Sequence, residues 1–165
     1  MSLDPAAVAQ TFAADETQPV YLRELASLGD TRLYRKNTIL IHETDVDDTL
    51  FIVMSGRVKV FCTDASDKEI TFGVFGVGEY FGEMALDGGP RSASVVTQEA
   101  CVCALVTRTA LLAYIAKRPE FALLLLSKVI HRLRMATSSA RSLAFIDVYG
   151  RLTSCLLDLA KPQPD

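Results

Sequence analysis

The 165-residue sequence predicts a mainly β fold with α-helical ends, an antiparallel β-roll or barrel followed by one long helix. Three observations carry this. Strand-length apolar runs alternate with turn residues from about residue 31 onward. The apolar period turns helical near Arg108. From Glu120 to beyond Phe145 that period persists for about 26 residues, about 40 Å of helix.

Residues 5–29 read as one or two short helices, with Tyr21, Leu22, Leu25 and Leu28 at helical spacing and Gly29 as a stop. In "TRLYRKNTIL", Asn37 supplies a turn residue tolerant of positive φ. "TLFIVMSGRVKVFC" has the signature of a hairpin joined at Ser55-Gly56, with Ile52 and Met54 alternating against Phe51 and Val53. "EITFGVFGVGEYFG" and "SASVVTQEACVCALVTR" supply further strands. Many short strands between turns favour a closed architecture with few exposed edges. Pro119 can then open the long helix. Along it Leu126, Val129, Leu133, Ala136, Ala140 and Leu143 recur at spacings of three and four, a heptad-like stripe. The stripe can pack on its own β domain. A helix of this length overhangs a small β domain, so the expectation is a parallel homodimer, with Ala136 and Ala140 allowing close approach. Asp147 to Gly150 interrupts the pattern, and Leu152, Leu156, Leu157 and Leu159 mark a further amphipathic segment. The expected divisions are an N-terminal helical segment (1–30), a β-roll (31–116), the long helix (117–146), and a hinge with one more helix (147–165).

Half of the residues are hydrophobic, enough for a core, and the net charge of −3 argues against nucleic-acid binding by bulk electrostatics. No apolar run is long enough to span a bilayer and no leader peptide is apparent, so a cytoplasmic protein is expected. Cys62, Cys101, Cys103 and Cys155 form no C-x-x-C pair, and only His42 and His131 could join them. They read as thiols in a reducing compartment, with Cys101 and Cys103 on the same side of one strand, and no metal site is expected.

The informative stretch is "FGEMALDGGPRSA", residues 81–93. Glu83 and Arg91 bracket a glycine-rich turn. A surface ion pair is one reading, worth about 0–1 kcal/mol. Acid–base catalysis by Glu83 is another, but it needs a second positioned titratable group or a metal, and none is suggested. Ligand capture is the third. The Arg91 fork suits phosphate oxygens. A helical turn at Met84 just after Gly82 would offer free N–H groups to an anion. Ser92 and Ala93 can add a hydroxyl and an N–H, while Glu83 can accept from a sugar hydroxyl. Phosphate plus sugar means a nucleotide. One arginine without lysine or a magnesium-binding cluster suits a singly charged phosphodiester.

This stretch resembles the phosphate-binding cassette of cyclic-nucleotide-binding domains, and "SGRVKVF" resembles the hairpin before it. "LAFIDVYGRLTSCLLDLAK" is similar to the hinge and following helix of the bacterial catabolite activator protein (CRP/FNR) group of transcription regulators. The resemblance runs from about Leu33 onward. It implies a double-stranded β-helix, or jelly roll, followed by a long dimerisation helix. It further implies a cyclic nucleotide ligand, cyclic AMP first, with no other cofactor. Arg91 would pair with the cyclic phosphate and Glu83 with the ribose 2′-hydroxyl. Gly82 and Ala93 would give N–H groups and Ser92 its hydroxyl, with Met84 in the same turn. Arg132, Ala136 and Thr137 would lie against the base, Thr137 alone keeping a hydroxyl where the activator protein has two. Thr44 stands where the family commonly has glycine, which implies an altered turn. DNA would be met through a domain absent from this chain, and the protein would not be an enzyme. A ligand-free, dimeric β-roll interaction module is the alternative.

Overall fold

A computed structural model describes residues 3–145. The chain divides into two compact units, one up to Lys117 and one from Arg118 on. The expected hinge and helix over 147–165 lie outside the described residues.

The first unit opens with α1 (Pro5–Ala14) and α2 (Val20–Ser27). Asp4 caps α1, its carboxylate accepting from the Ala6 amide at 3.1 Å. Helix α2 buries Leu22 and Leu25, as their spacing predicts. Helix α2 ends just before Gly29, as predicted, but Gly29 is not in the left-handed conformation. A Cβ there would lie 2.7 Å from the Leu105 carbonyl oxygen, so the position needs glycine for close backbone approach.

Eight strands follow: β1 (Asp30–Tyr34), β2 (Ile39–Ile41), β3 (Leu50–Ser55), β4 (Val58–Thr63), β5 (Glu69–Phe75), β6 (Tyr80–Phe81), β7 (Ser94–Thr97) and β8 (Cys101–Val106). They form two four-stranded sheets, ordered β1-β8-β3-β6 and β2-β7-β4-β5, with every recorded pairing antiparallel. This is the predicted β-roll. Helix α3 (Arg108–Lys117) ends the unit.

The hairpin expected at Ser55-Gly56 is not there. Strand β3 pairs with β6 and β8, whereas β4 pairs with β5 and β7, so the connection crosses between sheets. Gly56, at φ 82°, makes that crossing. The alternation read in β3 also fails, because Leu50 through Met54 are all buried. Helices α1 and α2 cover the first sheet. A strand covered on both faces reads as a continuous apolar run.

Between the sheets lie Ile41, Phe51, Val53, Val58, Phe81, Val95, Cys101 and Cys103. Phe51 and Phe81 stack with ring centroids 5.1 Å apart. Cys101 and Cys103 share this core, as one strand face requires, and burial pushes the Cys103 thiol up to about 12. Asn37 adopts φ 63°, as its place in the turn predicts. Buried Thr97 fastens that turn to β7, donating to the Arg35 carbonyl at 2.7 Å and accepting from the Thr38 amide at 2.8 Å.

In the second unit, α4 (Glu120–Phe145) runs 26 residues, the predicted length. Leu126, Val129, Leu133, Ala136 and Ala140 of the heptad stripe are exposed in the single chain. Leu143 lies outside the residues whose side chains are described. No helix among the described residues is long and apolar enough to cross a membrane.

Candidate functional site

Strand β6 ends at Phe81 in one sheet and β7 begins at Ser94 in the other. The segment 82–93 bridges them, so its side chains fall at one edge of the roll. Gly82 opens it at φ 89°, and Glu83–Asp87 forms a single 3-10 turn, where the sequence predicts a helical turn. Gly88 turns the chain at φ 89° and the Gly89 amide donates to the Asp87 carboxylate at 2.8 Å.

Arg91 points inward and is only 4% exposed. Its Nη1 donates to the Gly82 carbonyl at 2.8 Å, and its Nη2 donates to the Thr49 carbonyl at 2.8 Å and to Asp47 Oδ2 at 2.7 Å. A buried cation needs such acceptors, because an unmatched charge in the interior is strongly destabilising. Nε is buried too, with no hydrogen-bond partner among the described residues. One edge of the guanidinium therefore keeps donor capacity. A Cβ on Gly82 would lie 2.7 Å from Arg91 Nη1 and 2.8 Å from the Thr49 carbonyl oxygen. Glycine is what lets the arginine lie flat there.

The loop between β2 and β3 completes the site. The Thr44 amide donates to the Arg91 carbonyl at 2.9 Å, and the Arg91 amide to the Asp45 carbonyl at 2.8 Å. Asp47 is half exposed, and its Oδ1 accepts from the Thr49 amide at 3.1 Å and hydroxyl at 2.8 Å. Partial burial pushes the Asp47 carboxyl up. The hydrogen bonds from Arg91 and Thr49, with the Arg91 charge, outweigh this and hold it below the ordinary value. Thr44 adopts φ 73°, the conformation expected of a turn glycine and uncommon for a β-branched residue.

Of the predicted site residues, Gly82 and Arg91 are in direct contact, and Glu83 is buried on the turn that follows Gly82. The surface-pair reading of Glu83 and Arg91 fails, since both are buried and the ion pair is between Arg91 and Asp47. The Ser92 hydroxyl donates to the Met84 sulfur at 3.4 Å, and the Ser92 carbonyl accepts from the Cys62 thiol at 3.5 Å. Ala93 is half-buried. Arg132, Ala136 and Thr137 lie on α4 in the second unit, where the Thr137 hydroxyl donates to the Leu133 carbonyl at 2.9 Å. Asp47 and Thr49 were not among the predicted residues. Their local signal is Asp-x-Thr, a sequence that closes an Asx turn. Among the described residues no group of three or more His, Cys, Asp or Glu could hold a metal ion.

Residues 31–118, which span the roll, the bridging segment and α3, match the family described as "Cyclic nucleotide-binding domain". The chain belongs to that family. This cyclic nucleotide-binding domain is of the CRP/FNR type. It is 34% identical over 134 residues to the "cAMP-activated global transcriptional regulator CRP" of Salmonella typhimurium, covering 80% of this chain and 63% of that protein. It is similar to the crystal structure of the Thermus thermophilus catabolite activator protein, with TM-score 0.71, 32% identity, and coverage of 81% of this chain and 63% of that one. A second similar structure is the c-di-GMP responsive global regulator CLP of Xanthomonas campestris, with TM-score 0.73, 28% identity, and coverage of 86% and 72%. The domain thus spans under two thirds of the length of the curated CRP relative, 63%.

Proposed function

We propose that this chain is the ligand-sensing and dimerisation module of a CRP-like transcription regulator, and that it binds a cyclic nucleotide, cyclic AMP first. One observation carries the reading: Arg91 is buried at the edge of the roll, and its Nε has no acceptor among the described residues. A phosphodiester oxygen supplies that acceptor. Glu83 accepts from the ribose 2′-hydroxyl, the Gly82 and Ala93 amides and the Ser92 hydroxyl add donors to the phosphate, and Met84 belongs to the same turn. Arg132, Ala136 and Thr137 contact the base, with the Thr137 hydroxyl reading adenine.

Pairing through the exposed stripe of α4 makes the homodimer. Ligand binding favours one of two packings of the paired helices, and that preference reorients a further, DNA-binding domain. A ligand acts in this way only through different affinity for the two states. The module has no catalytic step, so cyclic nucleotide incubated with it is recovered intact.

Titration calorimetry with cyclic AMP on the wild-type chain and on Arg91→Ala tests the proposal. Affinity in the variant is expected to fall at least about 100-fold, roughly the worth of one strong charge-assisted interaction. Asp47 is half exposed, so water takes over its solvation and the fold survives, which circular dichroism checks. Unchanged affinity removes Arg91 from the site.

The Arg91–Asp47 ion pair favours a second reading, a ligand-free interaction module in which Asp47 occupies the guanidinium permanently. A wild-type melting temperature unmoved by cyclic AMP, cyclic GMP and cyclic di-GMP supports it.

A further inference from the structure

Asp47 is held at three points. Its Oδ2 lies 2.7 Å from Arg91 Nη2, and its Oδ1 accepts the Thr49 amide at 3.1 Å and hydroxyl at 2.8 Å. The carboxylate cannot rotate away from Arg91 without giving up that turn. The Nε N–H is buried with no hydrogen-bond partner among the described residues, so a ligand that takes it up must displace the side chains around it and leaves the Nη contacts made. An anion arriving there therefore meets Arg91 with Asp47 still in place.

The charge carried by the two loops is one-sided, although Arg108 of α3 also reaches this segment, its Nε donating to the Leu86 carbonyl at 3.2 Å. The two loops that make the site carry Glu43, Asp45, Asp47, Asp48, Glu83 and Asp87, and Arg91 is their one cation. Backbone hydrogen bonds from Thr44 to Arg91 and from Arg91 to Asp45 bring these loops together. With Asp47 on Arg91, the guanidinium is already matched before any ligand enters. A singly charged anion can still gain the hydrogen bond of the Nε N–H. A second negative charge gains nothing further from Arg91 and is repelled by Asp47 at close range.

We propose that Asp47 is a specificity-determining residue, which admits a singly charged phosphodiester and rejects a doubly charged phosphomonoester. The classes separated are a cyclic nucleotide and its own hydrolysis product. This rests on the cyclic-nucleotide reading above. Asp47 is a positioning residue for Arg91 as well, but orientation alone would act on both ligands equally.

The test measures dissociation constants for cyclic AMP and 5′-AMP on wild type, Asp47→Asn and Asp47→Glu, with cyclic GMP and 5′-GMP as a parallel pair. In Asp47→Asn the preference for the cyclic form is expected to narrow about tenfold, since one unit charge a few ångströms away is worth on the order of that factor at a partly exposed site. Asp47→Glu keeps the charge and the preference. A second measurement needs no variant: the 5′-methyl ester of AMP, open but singly charged, binds wild type more tightly than 5′-AMP. Cyclic-nucleotide binding with an unchanged preference in Asp47→Asn overturns this inference alone, as does equal affinity for the ester and 5′-AMP. Failure of wild type to bind either cyclic nucleotide removes the functional reading and this inference with it.

Discussion

Gly82 and Gly88 share one positive φ, 89°, in two different surroundings. A Cβ at Gly88 would meet nothing within 4 Å. A Cβ at Gly82 would meet Arg91 Nη1 at 2.7 Å and the Thr49 carbonyl oxygen at 2.8 Å. Replacing each by alanine therefore separates conformational strain from the loss of the arginine's seat. The left-handed conformation costs an L-residue roughly 1–2 kcal/mol, offset by roughly 0.4–1 kcal/mol from a less flexible unfolded chain. Gly88→Ala should lose about 0.5–1 kcal/mol on that basis. Gly82→Ala carries the same cost and two more. The overlap must be relieved at about 1–3 kcal/mol, which displaces the guanidinium and shifts the backbone at Gly82 or Thr49 as well. The guanidinium bond to the Gly82 carbonyl is then weakened, at about 1.5–3 kcal/mol for a charged donor. These overlap, so a gap of about 2–4 kcal/mol between the two variants is expected, about 5–15 °C in melting temperature for a chain of this size. Urea denaturation with thermal melts measures it, and cyclic AMP titration shows whether binding is lost in Gly82→Ala alone. Equal loss in the two variants would refute the claim that Arg91 is seated on Gly82.

Three further outcomes are expected. Thr44 sits at φ 73°, so Thr44→Gly should gain about 0.5–1 kcal/mol after the flexibility of glycine in the unfolded chain is counted; an unchanged or lower urea midpoint argues against strain there. Asp47 titrates below the ordinary 3.8 in the folded chain, so its ionised form stabilises the fold above that pH, and this contribution is lost as pH falls through the folded value. The stability difference between wild type and Asp47→Asn should therefore be flat above about pH 5 and close below the ordinary carboxylate value; a gap that persists in acid refutes the ion pair as its source. Leu126 and Leu133 are 54% and 64% exposed on α4, so the double variant Leu126→Asp, Leu133→Asp should sediment as a monomer where wild type sediments as a dimer. A monomeric wild type at micromolar concentration would reject pairing through this stripe.

Local chemistry made several features legible in advance. Asn37 and the Gly82–Gly88 turn carry residues that tolerate unusual φ, and the three-and-four spacing after Glu120 marks a helix of the observed 26 residues. Glu83 and Arg91 stand out in the sequence because a fork and a carboxylate around a glycine-rich turn suit a phosphorylated sugar. The hairpin reading of Ser55-Gly56 failed because adjacent strands in sequence can belong to different sheets, and sequence proximity carries no information on that choice. The alternation read in β3 failed because helices from the first 30 residues cover its second face.

Residue type and spacing thus determined which segments become strand, turn and helix, since these depend on neighbours a few positions away. Tertiary structure alone decided where each strand pairs and what touches Arg91. Asp47 and Thr49 stand 44 and 42 residues before it in sequence. Only the closure of the roll brings their oxygens within hydrogen-bonding distance of its guanidinium, because a buried cation collects acceptors from whatever backbone and side chains packing places around it.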